Sequence, residues 1–383
     1  MERSVIYLDN AATSFPKPKR TVERLNDFIG NIGGNPGRSG HTLSLEAARI
    51  IFEAREKMTR FVGGSASERL IFTSNGTESL NLAILGLLRD GDHVVTTSLE
   101  HNSVMRPLSF LRKEKGVEFS VAQCSPDGVL DAEDIRPLLR KNTKAVIVNH
   151  GSNVTGSVQD LHRVREAIYD IPLIVDACQT IGAHPIDVDA DGVDILCFSC
   201  HKSLHAIQGL GAVYIKRHIN LRPLRFGGTG SKSESIEQPE VLPDRYESGT
   251  PNTPAIASLL GGLAFIEDTG LMNIVKRELG FRNRIAEGLS DIEGITVYGP
   301  GKDASVGPVP VVSFNVTGRS ASDVGLALNR KEIYVRVGLH CSPVTHKTVG
   351  TFPEGTVRVS PGYFTKDEDI EHFLEVIKQI AGT

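Results

Sequence analysis

The chain has 383 residues, a formal net charge of −4 and a hydrophobic fraction of 40%. This length is enough for a sizeable core in one large or two smaller domains, and the slightly acidic balance argues against nucleic acid as a partner. No stretch reaches the roughly 20 apolar residues of a membrane span, and the N-terminus shows no run typical of a signal peptide. We therefore expect no membrane contact and a cytoplasmic location. The five cysteines are sparse in a chain of this length and odd in number, so we expect no disulfide framework.

The first two thirds of the chain predict an open, mostly parallel α/β sheet with crossover helices. A helix is indicated in "LSLEAARIIFEAREKMTRFVGG", where Ala47, Ile51, Ala54, Met58 and Phe61 share a face that ends before Gly63 and Gly64. Strands are indicated by "RLIFTS", "HVVTTS", "EFSVAQ", "AVIVNH", "IPLIVDA", "ILCFSC" and "GAVYIK". Near-continuous apolar runs suit strands covered on both faces. Helical stretches such as "DAEDIRPLLR" and "LHRVREAIYD" lie between them.

The remainder predicts a smaller α+β domain. A long helical segment near 255–290 precedes the strands "VVSFNV", "IYVRVG" and "TVRVSPGY" and the helix "SASDVGLALNRK". Thr365 and Glu368 predict a capping box for the last helix, whose apolar face holds Ile370, Phe373, Leu374, Ile377 and Ile380. We predict a large domain over 15–255, a small domain from 1–14 and 256–383, and a mobile loop at 227–244.

Polar residues follow the predicted strands at their carboxyl ends, where ligands bind in such sheets. In chain order they are Asn75, Gly76, Thr77 and Glu78; Glu100, His101 and Asn102; Asn149, His150, Ser152 and Asn153; Asp176 and Gln179; and Ser199, His201 and Lys202. We expect these groups to converge on one crevice.

Three of these signals have ordinary structural alternatives. The Gly76–Thr77 helix start can bind a phosphate or be a plain turn. Asp176 can meet a cation or act as the N-cap of a helix starting near Ala177. Lys202 can be a nucleophilic amine of lowered pKa or an exposed loop lysine.

Taken together, the strand-end residues suit pyridoxal phosphate, which needs a lysine for its aldehyde and an acid for its ring nitrogen. Lys202 and Asp176 supply these two groups. His101 can offer a flat face to the ring, and Asn153 and Gln179 can reach the ring hydroxyl. Thr77, Ser199 and His201 are then the candidate phosphate ligands.

An ordered series of motifs resembles the cysteine desulfurase branch of the class V aminotransferases. The motifs are "YLDNAATSFPKP", "SNGTES", "LEHNS", "VDACQTIG", "FSCHKSL", "ESGTPN" and "RVGLHCSP…GTVRVSPGYFTKDED", spanning Tyr7 to Asp369. The resemblance implies the fold-type-I architecture of pyridoxal phosphate enzymes and a homodimer. The large domain would bind the cofactor, and the small domain would carry the Cys341 loop.

The resemblance also implies residue roles. Lys202 matches the Schiff-base lysine, Asp176 the partner of the ring nitrogen, and His101 the stacking residue. The remaining cofactor positions are Gly76, Thr77, Asn153, Gln179, Ser199, His201 and Thr250, the last supplied by the other subunit. Arg358 matches the clamp for the substrate carboxylate, a role that suits a planar bidentate donor. Arg38 and His41 are further substrate candidates in a segment that departs from the family pattern.

Cys341 determines which reaction the resemblance implies. Its thiolate would take the sulfur of L-cysteine as a persulfide, with L-alanine as the other product. The sulfur would pass to an acceptor protein, for example in iron–sulfur cluster assembly. The alternative for Cys341 is a buried apolar residue, which its loop-like setting disfavours. His205 stands with Ala206 and Ile207 where relatives often carry Tyr-Gly-Pro, and it has no assigned role.

Three rival interpretations stay open. One is another class V reaction: selenocysteine lyase, cysteine sulfinate desulfination, or an aminotransferase or lyase acting on another amino acid. The second is a metal or thiol-redox module built on Cys197, Cys200 and His201. Because side chains alternate along a strand, the two cysteines should point to opposite faces and pack as filler, so we expect no metal site. The third is a non-catalytic sulfur-transfer scaffold, which the presence of both Lys202 and Asp176 disfavours.

Overall fold

The computed structural model describes residues 5–37, 39–301 and 307–382. Its α-helices are α1 (Lys19–Asp27), α2 (Thr42–Phe61), α3 (Gly76–Leu87), α4 (Asn102–Lys115), α5 (Leu161–Ile168), α6 (Thr253–Thr269), α7 (Leu271–Ser290), α8 (Ala321–Asn329), α9 (Pro343–Thr348) and α10 (Asp367–Ala381). Its strands are β1 (Ile6–Tyr7), β2 (Leu70–Thr73), β3 (His93–Thr97), β4 (Glu118–Ala122), β5 (Thr143–Asn149), β6 (Leu173–Asp176), β7 (Ile195–Ser199), β8 (Gly211–Ile215), β9 (Ile295–Tyr298), β10 (Val312–Val316), β11 (Ile333–Tyr334), β12 (Arg336–Gly338) and β13 (Thr356–Val359). A π-helical turn (Phe28–Ile32) and two 3₁₀ segments (Ser67–Arg69 and Ala132–Leu138) complete the regular structure.

The central sheet has seven strands in the order β2-β8-β7-β6-β5-β3-β4. Strand β8 is antiparallel to β2 and β7, and the other pairs are parallel. Every predicted strand of this region is present, so the predicted mostly parallel α/β sheet is confirmed. The register aligns Asn149 with Asp176 and Asp176 with Cys197. The polar ends of β5, β6 and β7 therefore lie at one edge of the sheet.

Two apolar cores cover the two faces of this sheet. One contains Val148, Val175, Phe198 and Cys200. The other contains Ile147, Ile174 and Cys197. Burial on both faces explains the unbroken apolar runs of the central strands.

The C-terminal region forms a four-stranded antiparallel sheet in the order β12-β13-β10-β9. Helices α7, α8 and α10 pack on it in a third core, to which α10 contributes the buried Ile370, Phe373 and Ile377. This arrangement confirms the predicted α10 face. The division of domains at residue 255 stays a prediction, and α6, which begins at Thr253, packs in the first core of the central sheet.

Several local predictions need correction. No helix follows β6 in the described residues 177–184, so Asp176 is not a helix N-cap; its Oδ1 instead accepts the Cys178 N–H at 2.9 Å within a turn. Residues 132–138 form a 3₁₀ rather than an α-helix, and Pro137 lies inside this segment. The helical segment near 255–290 is broken at Gly270, whose φ is 83°.

Two further details differ in the small domain. The stretch "IYVRVG" divides into β11, which pairs with β1, and β12, which joins the four-stranded sheet. The cap of α10 lies one residue later than predicted. The Asp369 carboxylate accepts the Lys366 N–H at 2.9 Å, and the Thr365 hydroxyl accepts the Gly362 N–H at 3.0 Å.

Across the described residues, no single helix is long and apolar enough to cross a bilayer. Helices α6 and α7 have the length and apolar composition of a membrane span only when taken together, and they are bent by 85° at their junction.

Candidate active site

The strand ends meet at a cavity of about 150 Å³. Most of the predicted site residues line it: Gly76, Thr77, His101, Asn153, Asp176, Gln179, Ser199, His201, Lys202 and Arg358. Residues far apart in sequence are therefore brought together as expected for the carboxyl edge of an open α/β sheet.

Lys202 and Asp176 form the charged centre of this cavity. Burial lowers the pKa of the Lys202 amine, and the nearby Asp176 carboxylate opposes that shift only in part. A lysine of lowered pKa is a better nucleophile and base at neutral pH. One oxygen of Asp176 is fixed by the Cys178 backbone, which holds the carboxylate at the end of β6.

His101 forms the N-cap of α4 and lies on the cavity wall. Its Nδ1 accepts the Ser103 N–H at 3.1 Å and lies 2.9 Å from the Ser103 hydroxyl. The accepted N–H fixes the tautomer with the proton on Nε2. Burial lowers the pKa of His101 to about 4, so the ring is neutral at pH 7. The Ser103 hydroxyl also contacts Thr77 Oγ1 at 2.8 Å, which joins His101 to the start of α3.

The end of the cavity at α3 has the properties of an anion cradle. Asn75 caps α3 through the Glu78 N–H, and the helix begins at Gly76. Ser199 Oγ and His201 Nδ1 are buried there without a hydrogen-bond partner. A Cβ on Gly76 would lie 2.4 Å from Cys178 Sγ, so only glycine leaves this approach open. Unpaired buried donors beside a helix N-terminus fit the phosphate of pyridoxal phosphate.

Arg358 lies on β13 with an exposed fraction of 1%. Its Nη2 donates to Asp9 Oδ1 at 2.8 Å, its Nη1 donates to the Asn153 carbonyl at 3.1 Å, and its buried Nε has no partner. Arg336 is its direct cross-strand neighbour. Two opposed arginines repel each other. The pair is therefore suited to a bound carboxylate, which would also satisfy the free Nε.

Cys341 is exposed and lies on a turn beside the cavity. Both His340 and Cys341 have left-handed backbones, with φ of 49° and 60°. The Cys341 carbonyl accepts the Asn102 N–H at 2.9 Å, and Arg336 Nη2 lies 3.6 Å from Cys341 Sγ. Although Cys341 does not line the cavity, Arg336 and His340 do.

Asn153 attaches the Cys341 turn to the cavity wall. Its Nδ2 donates to the His340 carbonyl at 2.8 Å, and its Oδ1 accepts the Ser342 hydroxyl at 2.8 Å. The thiol is thus carried by a strained turn that is held on both sides of Cys341.

The other cysteines do not form a reactive cluster. Cys197 and Cys200 pack in cores on opposite sides of the sheet, which confirms their predicted role as filler and contradicts the metal or redox module. Burial raises the pKa of both thiols. No group of three or more His, Cys, Asp or Glu side chains that could hold a metal ion occurs among the residues that the structure describes.

Besides Cys341, the predicted residues Thr250 and His41 do not line the cavity of this chain. Thr250 lies in the loop before α6 and lines a separate depression with Phe72. His41 caps α2, its Nδ1 accepting the Ser44 N–H at 3.3 Å. Arg38 lies outside the described residues. The roles given to these residues stay predictions.

Several residues of the site were not assigned from the sequence. The structure adds Asp9, Cys178, Arg336 and His340, and it places the predicted strand-end residue Asn149 in the cavity lining. Arg336 could have been found, because it stands five residues before Cys341 in the same motif. The Asp9–Arg358 contact joins positions 349 residues apart and leaves no local signal.

A mostly parallel sheet that presents a lysine, an aspartate and a neutral histidine around an anion cradle defines a pyridoxal phosphate-dependent enzyme. Residues 6–373 match the family model described as Aminotransferase class-V, and the chain belongs to that family.

Its relatives agree with the motifs. It is 34% identical to a probable cysteine desulfurase of Pyrococcus abyssi, with 100% of this chain and 95% of the relative covered. It is 30% identical to a cysteine desulfurase of Haloferax volcanii, with 97% and 88% covered. The apo structure of a cysteine desulfurase from Thermococcus onnurineus NA1 superposes with a TM-score of 0.92, 33% identity and coverage of 99% and 95%. These findings confirm the resemblance to the cysteine desulfurase branch.

Proposed function

We propose that this protein is a pyridoxal phosphate-dependent cysteine desulfurase that converts L-cysteine to L-alanine and forms a persulfide on Cys341. The observation that carries the proposal is the attachment of an exposed cysteine turn, through Asn153, to a cavity that holds Lys202 and Asp176.

The residues present fit the cofactor. Ser199, His201 and the start of α3 would hold its phosphate, Asp176 its ring nitrogen and Lys202 its aldehyde carbon, with His101 against the ring. When bound, pyridoxal phosphate supplies an electron sink for the substrate carbon that loses a proton.

The amino acid would be oriented by its carboxylate. Arg358 offers its unpaired Nε and its remaining Nη–H groups, and Asp9 and the Asn153 carbonyl hold the guanidinium in place. Fixed geometry of this kind reduces the entropy lost when the substrate binds. Lys202 Nζ, whose pKa is lowered by burial, takes the α-proton as general base.

Cys341 would carry out the sulfur transfer. Its thiolate forms a new Sγ–S bond with the substrate sulfur as the Cβ–S bond breaks, and the electron pair of that bond stays with the carbon side. Protonation of that carbon skeleton gives alanine. Arg336, 3.6 Å from Sγ, places a positive charge beside the thiolate and the persulfide.

We also propose a cytoplasmic homodimer in which the partner subunit contributes the threonine corresponding to Thr250. Exposed apolar side chains of α2 and of the 227–244 segment, among them Phe52 and Ile236, support a contact surface. Five free cysteines support a reducing compartment. The persulfide would pass to an acceptor protein, with iron–sulfur cluster assembly as one use.

The test compares L-cysteine, L-selenocysteine and L-cysteine sulfinate by the alanine that each produces. Wild type should release alanine from L-cysteine, and Cys341→Ser should lose this reaction. Cys124→Ala, which removes a buried thiol that does not line the cavity, should retain it. Lys202→Ala should lose both the absorption of the bound cofactor and all turnover. An active Lys202→Ala variant would overturn the assignment.

The same panel tests the neighbouring reactions. Selenide or sulfinate release can proceed without a nucleophilic thiol. If Cys341→Ser keeps full activity on L-selenocysteine and wild type is inactive on L-cysteine, the enzyme is a selenocysteine lyase. Full desulfuration of L-cysteine by Cys341→Ser would contradict the persulfide step.

A further inference from the structure

Lys17 is a half-buried lysine that the proposed reaction does not use. Its Nζ donates to the His201 carbonyl at 2.6 Å and to the Ser14 hydroxyl at 2.9 Å. None of the described carboxylates forms an ion pair with it, and burial lowers its pKa to about 8. An ammonium withdrawn from water without a counter-ion is costly, so its position calls for a compensating interaction.

The local structure around Lys17 does not offset the free-energy cost of burying its ammonium. Lys17 lies just before α1, whose N-cap is Pro18 and whose first turn has no acidic residue. A cation at a helix N-terminus meets the positive end of the helix dipole and is disfavoured there. The hydrogen bond to the His201 carbonyl, at 2.6 Å, is charge-assisted and is shorter than the bond to the Ser14 hydroxyl.

That carbonyl belongs to the peptide bond that joins His201 to Lys202. It also accepts the Thr13 hydroxyl at 3.1 Å and the Ser14 N–H at 3.3 Å. The next carbonyl, of Lys202, accepts the Ser14 hydroxyl at 2.9 Å. Residues 13–17, the N-terminal clamp, therefore hold the backbone on both sides of Lys202.

The positive charge of Lys17 in the N-terminal clamp also affects the neighbouring histidines. Burial lowers the pKa of His201 to about 4, and the charges of Lys202 and, to a smaller extent, Lys17 act in the same direction, which keeps that ring neutral in the anion cradle. Its charge also acts on His205, a buried histidine whose pKa is lowered to about 3 mainly by burial. Lys17 thus adds a fixed positive charge behind the residues that would hold the cofactor phosphate.

We propose that Lys17 is a positioning residue for the cofactor. Its ammonium fixes the His201–Lys202 peptide so that the His201 ring and the Lys202 amine face the cavity together, and it adds positive charge at the phosphate end. This inference rests on the proposed function for the identity of the cofactor, but it concerns cofactor binding rather than sulfur transfer.

The test is equilibrium dialysis of the purified holoenzyme against a series of pyridoxal phosphate concentrations, with the absorption of the bound cofactor recorded. Lys17→Met should raise the dissociation constant about tenfold or more, because the His201–Lys202 peptide is no longer fixed in the position that binds the cofactor and one positive charge is lost near the phosphate. Lys17→Arg, which keeps a cation and a donor, should recover most of the affinity. Lys19→Met is the matched control, since the Lys19 side chain is 89% exposed, and it should bind within about twofold of wild type.

Wild-type affinity in Lys17→Met would overturn the proposal, and so would failure of Lys17→Arg to restore binding. Lys17→Gln, which keeps a donor without the charge, serves if Lys17→Met does not fold; it should bind more weakly than Lys17→Arg. If neither neutral variant folds, Lys17 is a folding determinant and the proposal is wrong. An enzyme that binds the cofactor normally but forms no alanine from L-cysteine would contradict the proposed function and leave this comparison valid.

Discussion

Glu278 gives a stability prediction whose sign and size follow from its surroundings. It lies on α7 with an exposed fraction of 4%, against a cavity of about 20 Å³ that His205 also lines. Burial raises its pKa to about 8 from the ordinary value of 4.5, and the Tyr363 N–H offsets only part of this shift. The carboxyl is therefore protonated in the folded protein at neutral pH.

The raised pKa of Glu278 makes the free energy of unfolding depend on pH. Below pH 4.5 both the folded and the unfolded chain hold the proton. Between pH 4.5 and 8 only the folded chain holds it, so stability falls as pH rises, and above pH 8 the loss is complete. A shift of this size corresponds to at most about 5 kcal/mol of unfolding free energy. Glu278→Gln is neutral at every pH and should not lose this contribution.

The assay is urea unfolding of wild type and Glu278→Gln from pH 4.5 to pH 8.5, because titrations common to both proteins cancel in the difference. The variant should gain stability relative to wild type steadily across this range, by a few kcal/mol in total. Glu267→Gln, on the exposed side of α6, is the control and should track wild type. A stability difference between wild type and Glu278→Gln that does not change with pH would show that the Glu278 carboxyl does not have a raised pKa in the folded protein.

The remaining predictions concern the cavity. Arg358→Lys should raise KM for L-cysteine about 100-fold, since lysine cannot keep the bonds to Asp9 and the Asn153 carbonyl while binding a carboxylate. Steady-state kinetics should show an unchanged KM in the exposed control Arg330→Lys. An unchanged KM in Arg358→Lys would contradict the role of Arg358 as the clamp for the substrate carboxylate. Gly76→Ala should weaken pyridoxal phosphate binding at least about tenfold because its Cβ meets Cys178 Sγ, and the double variant with Cys178→Ala should restore binding in the same dialysis assay. Equal affinity of the single and double variants would show that the clash is not the cause.

The sheet and most of the cavity could be predicted because their signals are local. Apolar runs identify strands buried on both faces, and the polar residues that follow Val148, Val175 and Phe198 mark the carboxyl edge where a ligand binds. Strand alternation was enough to place Cys197 and Cys200 on opposite faces.

The rest depends on contacts between distant positions. The Asp9–Arg358 pair joins the two ends of the chain, and the hydrogen bond from Lys17 to the His201 carbonyl joins two elements distant in sequence. A periodic pattern of apolar residues cannot predict contacts of this kind. The helix expected after Asp176 is absent, and the aspartate that suggested an N-cap holds a turn instead. Asp and Asn serve both motifs, so the residue type alone does not distinguish them.

Locating the transferred sulfur tests the proposed persulfide step on Cys341. Wild-type enzyme is mixed with one equivalent of L-cysteine in the absence of a thiol acceptor, trapped with an alkylating agent, digested and examined by mass spectrometry, with alanine measured in parallel. One extra sulfur is expected on the peptide containing Cys341, in an amount equal to the alanine formed, and it should be absent in Cys341→Ser. Alanine formed without a persulfide on Cys341, or an extra sulfur on another cysteine, would contradict the proposed step.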